Sequence, residues 1–352
     1  MSRKKHLIYF LIFIFFNCIF VSSLKADPTY LAVEENDDEF DMSTGITFNN
    51  DGSKMYVVGA LFNGGDRIVE YNLTTNYDVS TKSVSHRLIK SGSDTDTNTV
   101  LEEITFRPQD IRFNNDGTRM YLPMFTGHIE TYSLSTAFAI SSASLVDDTF
   151  NPSENTAGSN AIEFNSTGTK VFIGDGTHID EYNVATAFDL TSTVTYVDKL
   201  SLDYSPTSMA FSDDGTVLFV LTQGDNDKSI YEYNLTTGFD LSTATYADKF
   251  DVENREVRPH GIAFNSDGDK VFITGWDGQT GNDDDDEINT FSLSPKYNLG
   301  NPTLSSTSPA DNATGVSVDA NIVLNFSESV NVNSGEITIH KSSDDVKVAT
   351  ID

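Results

Sequence analysis

The chain repeats itself five times, and this constrains its fold more than any other feature of the sequence. The copies are "GITFNNDGSKMYVVG" from Gly45, "DIRFNNDGTRMYLPM" from Asp110, "AIEFNSTGTKVFIGD" from Ala161, "SMAFSDDGTVLFVLT" from Ser208 and "GIAFNSDGDKVFITG" from Gly261. Their starts lie 65, 51, 47 and 53 residues apart. Each copy continues into a third short run: "RIVEYNL", "HIETYSL", "HIDEYNV", "SIYEYNL" or "EINTFSL". A fourth follows in most, as in "VTYVDKLSL" and "ATYADKFDV".

Within a copy, the first two runs are joined by Asn/Ser-x-Asp/Thr-Gly. Glycine supplies the positive φ of a tight hairpin, and Asn or Asp bonds its own backbone. The runs are short, rich in Ile, Val, Phe, Tyr and Thr, and bounded by turn residues, so strands are favoured over helices. In "IYEYNL", Tyr231, Tyr233 and Leu235 share one face while Ile230 takes the other, which suits a sheet packed between two neighbours. Four antiparallel strands in about fifty residues, repeated, describe the blades of a β-propeller. A linear β-solenoid has shorter repeats. The fifth copy ends at "FSLSPKYNLG" without a fourth strand, whereas "PTYLAVEENDDEFDMSTGITF" precedes the first copy. Tyr30 stands 15 residues before Gly45, as Tyr246 stands 15 before Gly261. The N-terminal segment is therefore expected to supply the missing strand and close a five-bladed ring over residues 27–300. The long first spacing leaves too little chain between residues 72 and 110 to hide a sixth blade.

Residues 1–26 have the form of a secretory signal peptide: "MSRKKH", the apolar run "LIYFLIFIFFNCIFV", then a small residue at Ala26. The run is short for a membrane span, and no membrane insertion is expected after cleavage. Cys18 is the only cysteine, so the processed chain has no disulfide, thiol nucleophile or thiolate site. The full chain carries 53 acids against 22 bases, a net charge of −31. Removing Arg3, Lys4, Lys5 and Lys25 with the signal leaves 18 bases and a charge of −35. Such a surface repels nucleic acid and anionic lipid. A secreted or cell-surface location is expected.

Beyond Pro302 the sequence changes character. "SPADNATGVSVDANIVLNFSE" resembles the opening of the bacterial Ig-like domain of the surface-layer SbsA type. The resemblance implies a β-sandwich over 301–352, but that fold needs about a hundred residues. The segment is expected to be the first half of such a domain in a longer surface protein, with Ile322, Val323, Leu324 and Phe326 lacking their second sheet. The propeller copies resemble repeats of bacterial secreted and fibre proteins and, more loosely, YVTN-type and lactonase-type propellers, a resemblance that implies fold rather than activity.

With strands a to d numbered from the axis outward, the d-to-a and b-to-c loops form the face where propellers usually bind or react. Candidate ligand contacts there are Arg107 and Asp110 from "RPQD", His128, His178, Arg258 and His260 from "RPHG", and Trp276. Candidate metal ligands are Asp225, Asp227, Asp283, Asp284, Asp285 and Asp286, with Ca2+ as the cation. Each has a plainer reading. His128 and His178 share a polar repeat position occupied elsewhere by Arg67, Ser229 and Glu287. Consecutive aspartates in extended chain point alternately outward, so the run offers two or three ligands where calcium takes six to eight. It also lacks the spaced D-x-D-x-D-G pattern, and reads as a solvated turn unless a neighbouring loop completes it. Asp78, Asp189 and Asp240 read as turn caps, and Tyr71, Tyr132, Tyr182 and Tyr233 as inter-blade packing. No Ser-His-Asp spacing, P-loop or H-E-x-x-H helix occurs. The leading expectation is a non-enzymatic binding or adhesion module, a propeller head on an Ig-like stalk, recognising an extracellular glycan or protein ligand. The alternatives are a lactonase-like or glycan-cleaving enzyme that uses carboxylates, with or without calcium, and a structural surface-layer spacer.

Overall fold

The computed structural model describes residues 28–35, 39–61, 65–89, 107–152, 159–224, 227–276, 287–299, 304–309, 323–326, 337–341 and 346–351. The expected signal peptide therefore lies outside the described residues. Asp27–Gly300 form one compact unit, and the strands that follow belong to another.

The first unit is a five-bladed propeller. Strand β1 (Thr29–Glu35) comes first in sequence and last in the ring. Blade 1 contains β2 (Met42–Phe48), β3 (Lys54–Leu61), β4 (Gly65–Leu73) and β5 (Lys82–Ile89). Blade 2 contains β6 (Arg112–Phe113), β7 (Arg119–Pro123), β8 (Ile129–Leu134) and β9 (Ala143–Phe150). Blade 3 contains β10 (Ser159–Phe164), β11 (Lys170–Asp175), β12 (His178–Val184) and β13 (Val194–Ser201). Blade 4 contains β14 (Pro206–Phe211), β15 (Val217–Gly224), β16 (Asp227–Leu235) and β17 (Ala244–Asp251). Blade 5 contains β18 (Pro259–Phe264), β19 (Lys270–Gly275) and β20 (Glu287–Ser292), and β1 is its outer strand. Tyr30 pairs with Phe291 as Tyr246 pairs with Tyr233. The closing strand thus stands in the register expected from the 15-residue offset.

Five apolar clusters fill the five junctions between blades. Tyr71, Tyr132, Tyr182 and Tyr233 each lie in the cluster shared with the preceding blade, as expected. At the end of the molecule that carries the a-to-b turns, each junction also holds a trio of rings. The phenylalanine ending strand a (Phe48, Phe113, Phe164, Phe211 or Phe264) tilts onto an aromatic of the preceding blade's second strand, with centroids 4.6–4.7 Å apart. It also meets the aromatic of its own c-to-d connection (Tyr77, Phe138, Phe188, Phe239 or Tyr297) at 5.1–5.5 Å. Such tilted arrangements match the ring quadrupole and add to the area buried.

The hairpin glycines exist because of these rings. Gly52, Gly117, Gly168, Gly215 and Gly268 have φ of 68–71°, and a Cβ built on any of them would meet the facing ring at 2.2–2.3 Å. The facing aromatics are themselves held at φ of 53–57°, a conformation that costs energy away from glycine. Each donates its N–H to the carbonyl of its glycine at 2.8–3.0 Å. Asp78, Asp189 and Asp240 accept from the N–H groups of Ser80, Thr191 and Ser242, the turn capping expected from sequence; Ala139 replaces them without a side-chain bond.

This same connection is gripped by the previous blade. Lys54 reaches the carbonyl of Phe138 at 3.1 Å and Glu70 accepts from the N–H of Ile140. Lys170 and Glu181 repeat the arrangement on Phe239 and Leu241. The hydroxyl of Tyr121 bonds the carbonyl of Phe188, Glu232 accepts from Leu299, and Lys270 reaches Tyr77 to complete the circle. The seam between β1 and blade 1 has its own anchor: Glu39, almost fully buried, takes a two-pronged contact from Arg87 and lies 3.7 Å from Arg67.

In the second unit, β21 (Leu304–Ser308) pairs with β22 (Val323–Phe326), and β23 (Ile337–Lys341) pairs with β24 (Val346–Ile351). Val323 is exposed. Among the described residues no helix is long and apolar enough to cross a membrane.

Candidate functional site

Strand alternation decides what meets at the propeller axis. Along strand a, one set of alternate residues faces the neighbouring blades and the other faces the centre. Gly45, Asp110, Ala161, Ser208 and Gly261 form one central ring, and Thr47, Arg112, Glu163, Ala210 and Ala263 the next. The first ring is tight: a Cβ on Gly45 would lie 2.7 Å from the Cα of Asp110, and one on Gly261 would lie 2.9 Å from the Cα of Gly45. Only glycine permits that approach.

Arg112 fills the space that remains. Its Nε donates to Glu163 of blade 3 at 2.9 Å; Nη1 donates to Asp110 and to the carbonyl of Ile111 at 2.7 and 2.8 Å, and to the carbonyl of Ile46 in blade 1 at 3.3 Å. Nη2 donates to the carbonyls of Met209 in blade 4 at 2.7 Å and Ile262 in blade 5 at 3.3 Å. One guanidinium thus bonds all five blades. The planar fork of arginine suits this role, where a lysine ammonium would act as a point charge.

Asp110 was expected among the surface contacts of the loop face, and the structure corrects that. It is fully buried beneath the face, because it lies two residues before Arg112 on the same inward-facing side. Burial pushes its carboxyl up to about 7, against the opposing pull of Arg112 and the N–H of Ile111.

The other candidates scatter over the loop face. Arg107 has a left-handed backbone, φ 59°, fixed by its N–H bond to Asp66 at 2.9 Å, and its guanidinium lies 5.8 Å from the ring of Phe125. His128 accepts or donates to Thr126 at 2.9 Å and stands 3.6 Å from buried Glu130. His178 sits between two buried carboxylates, 3.1 Å from Asp175 and 3.5 Å from Asp180. Burial raises the Asp180 carboxyl, and His178 opposes the rise. The histidines stand in different blades, so the polar repeat position does not make them a shared site. His260 is pushed down to about 4 by burial and by the charge of Arg258, which leaves it neutral at ordinary pH.

Two candidates do come together. The guanidinium of Arg258 lies 4.4 Å from the ring of Trp276, and the backbone N–H of Trp276 donates to the carbonyl of Arg258 at 3.2 Å. Arg258 borders a cleft of about 550 Å³ between blades 4 and 5, lined also by Gln223, Gly224, Lys228 and Val257. Lys228 pairs with Glu253 at 2.8 Å, while Arg258 forms no ion pair with any described residue.

Of the expected calcium ligands, Asp225 and Asp283–Asp286 lie outside the described residues. Asp227 is described, and its carboxylate accepts from Ser229 at 2.6 Å, from the hydroxyl of Tyr231 and from Lys249 at 3.2 Å. Burial alone would raise its pKa, but these bonds hold it below the usual range. These bonds tie it to β16 and β17 of blade 4. Among the described residues, no three His, Cys, Asp or Glu side chains form a group able to hold a metal ion.

Sequence reasoning missed Arg112 and Glu163, and it also missed the opposite mouth of the axis. A cavity of about 330 Å³ opens there among the a-to-b turns, with Arg112 and Glu163 at its floor. The available signal was positional. Arg112 is a long cation where the aligned copies carry Thr47, Ala210 and Ala263.

Residues 299–352 match the family model of the bacterial Ig-like domain. No curated protein matches the sequence. Similar solved structures include a candidate 6-phosphogluconolactonase from Bacteroides uniformis, 12% identical over 72% of this chain and 68% of that one, TM-score 0.42. A functionally unknown protein from Desulfotomaculum acetoxidans is 14% identical over 81% and 89%, TM-score 0.46. Hydrazine synthase of Kuenenia stuttgartiensis is 11% identical over 67% and 56%, TM-score 0.41. Likeness at this level carries no argument about activity. The chain is a five-bladed β-propeller followed by a bacterial Ig-like domain.

Proposed function

We propose that the protein is a secreted or surface-displayed binding module. The propeller is the recognition head, the Ig-like domain belongs to its stalk, and the ligand is an acidic glycan held in the cleft between blades 4 and 5.

The observation that carries this reading is Arg258 stacked on Trp276 beside Lys228. A chain of net charge −31 here sets two cations along one cleft, with the exposed side chain of Val257 as an apolar contact. An arginine held over an aromatic ring and free of ion pairs keeps donors for a carboxylate, and the ring reduces the entropy lost on binding. The surrounding negative field works against anionic partners in general, so local complementarity supplies the selectivity.

A glycan array probed with the full chain tests the reading. Glycans bearing uronate or another carboxylate should be retained above their neutral counterparts, and the preference should weaken as salt rises. No retention of the acidic glycans, or retention of them that Arg258→Ala leaves unchanged, would overturn it.

A further inference from the structure

We propose that the opposite mouth of the propeller axis, among the a-to-b turns, is a second binding site, for one neutral, hydroxyl-rich ring of monosaccharide size. The cavity holds about 330 Å³, at the lower end of the range typical of small-molecule sites. It is distinct from the loop-face cleft, since the filled axis separates the two ends of the ring.

Three features choose the ligand. First, the floor contains a cation that cannot serve an anion. The nitrogens of Arg112 are already bonded to Glu163, Asp110 and the carbonyls of four blades at 2.7–3.3 Å. A phosphate or carboxylate would find no free donor there. Second, the floor contains an anion that is already compensated. Glu163 lies 2.9 Å from Arg112, so an incoming ammonium gains little. Among the described residues, each oxygen of Glu163 nevertheless accepts one bond, from Arg112 or from the N–H of Phe164. A carboxylate oxygen can take two. The side chain keeps about a fifth of its surface exposed, at 21%, so the unused acceptor positions suit hydroxyl donors. Third, the half-buried rings of Phe48, Phe113, Phe211 and Phe264 line the walls, and these fit the C–H faces of a sugar ring.

The mouth is also preorganised. Asn50 bonds the carbonyl of Asn115 at 2.7 Å, Asn115 bonds that of Ser166 at 2.7 Å, and the hydroxyl of Tyr297 bonds Asp213 at 2.8 Å. Each bond joins turns of adjacent blades, which limits the entropy a ligand must overcome. The turn carboxylates Asp51, Asp116 and Asp214 are held below their usual pKa by Ser or Thr hydroxyls and backbone N–H groups. The a-to-b turns around the mouth therefore carry negative charge, which disfavours anions further.

The test uses calorimetric titration of the full chain carrying Arg258→Ala, so that the loop-face cleft contributes nothing. The probes are glucose, galactose and mannose, their methyl glycosides, short oligosaccharides ending in the same sugars, glucuronate and glucosamine. At least one neutral sugar should bind, with glucuronate and glucosamine at least tenfold weaker. Equal binding of methyl glycosides and oligosaccharides would assign the site to chain ends, and preference for the reducing sugar would assign it to free sugar. Adding Ala210→Leu, which fills the floor without removing the Arg112–Glu163 pair, should abolish binding while the protein still unfolds cooperatively. Glu163→Gln should weaken it about tenfold and serves should the leucine disturb the fold. Absence of any neutral-sugar binding, binding that survives both substitutions, or equal binding of glucuronate would overturn the proposal. None of these outcomes bears on the loop-face reading, which rests on Arg258 and Lys228 at the other end of the ring.

Discussion

Nη2 of Arg112 in the second blade donates to the backbone oxygen of Met209 in the fourth, 2.7 Å away across the axis. The bond joins residues 97 apart in sequence, and its companions reach the other three blades. Removing the guanidinium would leave Asp110 and several carbonyls at the axis without their donor. Breaking a buried pair by deleting one partner costs about 3–5 kcal/mol. Arg112→Ala is expected to lower the unfolding free energy by that order in urea denaturation followed by circular dichroism. Arg112→Lys should recover only part of the loss, because an ammonium cannot present a planar fork to five blades.

Asp110 gives the fold a pH dependence with a defined sign. Its carboxyl is raised from an ordinary 3.8 to about 7 in the folded state. The folded protein therefore holds a proton that the unfolded chain releases. The stability from this group is fully present below about pH 4 and is lost as pH rises toward 7. Each pH unit within that window is worth at most about 1.4 kcal/mol. Asp110→Asn keeps an acceptor for Arg112 and removes the titration. Its stability relative to the wild type is expected to improve between pH 5 and pH 8, as measured by thermal unfolding at each pH. A constant difference across that range would contradict the assignment.

The glycine under an aromatic ring recurs in all five blades. Gly168→Ala places a Cβ 2.2 Å from the ring of Phe188 at a φ of 68°, so strain and overlap add. Overpacking of this kind typically costs about 1–3 kcal/mol. Phe188→Ala should cost about 3–5 kcal/mol through the lost ring. The double variant should be less destabilised than the sum, since removing the ring relieves the overlap. Chemical denaturation of the three variants checks this.

Strand β1 closes blade 5 through a ladder that includes Tyr30 with Phe291 and Glu35 with Glu287. Arg255 lies over the ring of Tyr30 at 4.0 Å and fixes the strand from the side. Deleting residues 29–35 would bare the edge of β20. An open edge is a template for pairing with other chains, so size-exclusion chromatography should show aggregation and the thermal transition should lose its cooperativity.

Much of this architecture could be read in the sequence because it is local and repeated. The Asn–x–Asp–Gly turns declare their hairpins, and the 15-residue offset shared by Tyr30 and Tyr246 reveals the closing strand. The caps at Asp78 and Asp240 follow from side-chain chemistry within two residues. The axis was not legible, since Arg112, Glu163 and Met209 meet only after the ring closes. Asp110 was misplaced for a related reason. It precedes β6, which is only two residues long, so it reads as loop although the chain already alternates toward the centre. Arg258 and Trp276 were singled out separately as loop residues, but nothing in their spacing announces that one lies on the other.

The functional reading rests on Arg258, whose guanidinium is free of ion pairs among the described residues. The most direct measurement is calorimetric titration of the full chain and its Arg258→Ala variant with a short polyuronate. The wild type should bind, and the variant should bind at least tenfold more weakly with an unchanged melting temperature. Equal binding by the two proteins, or none by the wild type, would contradict the account.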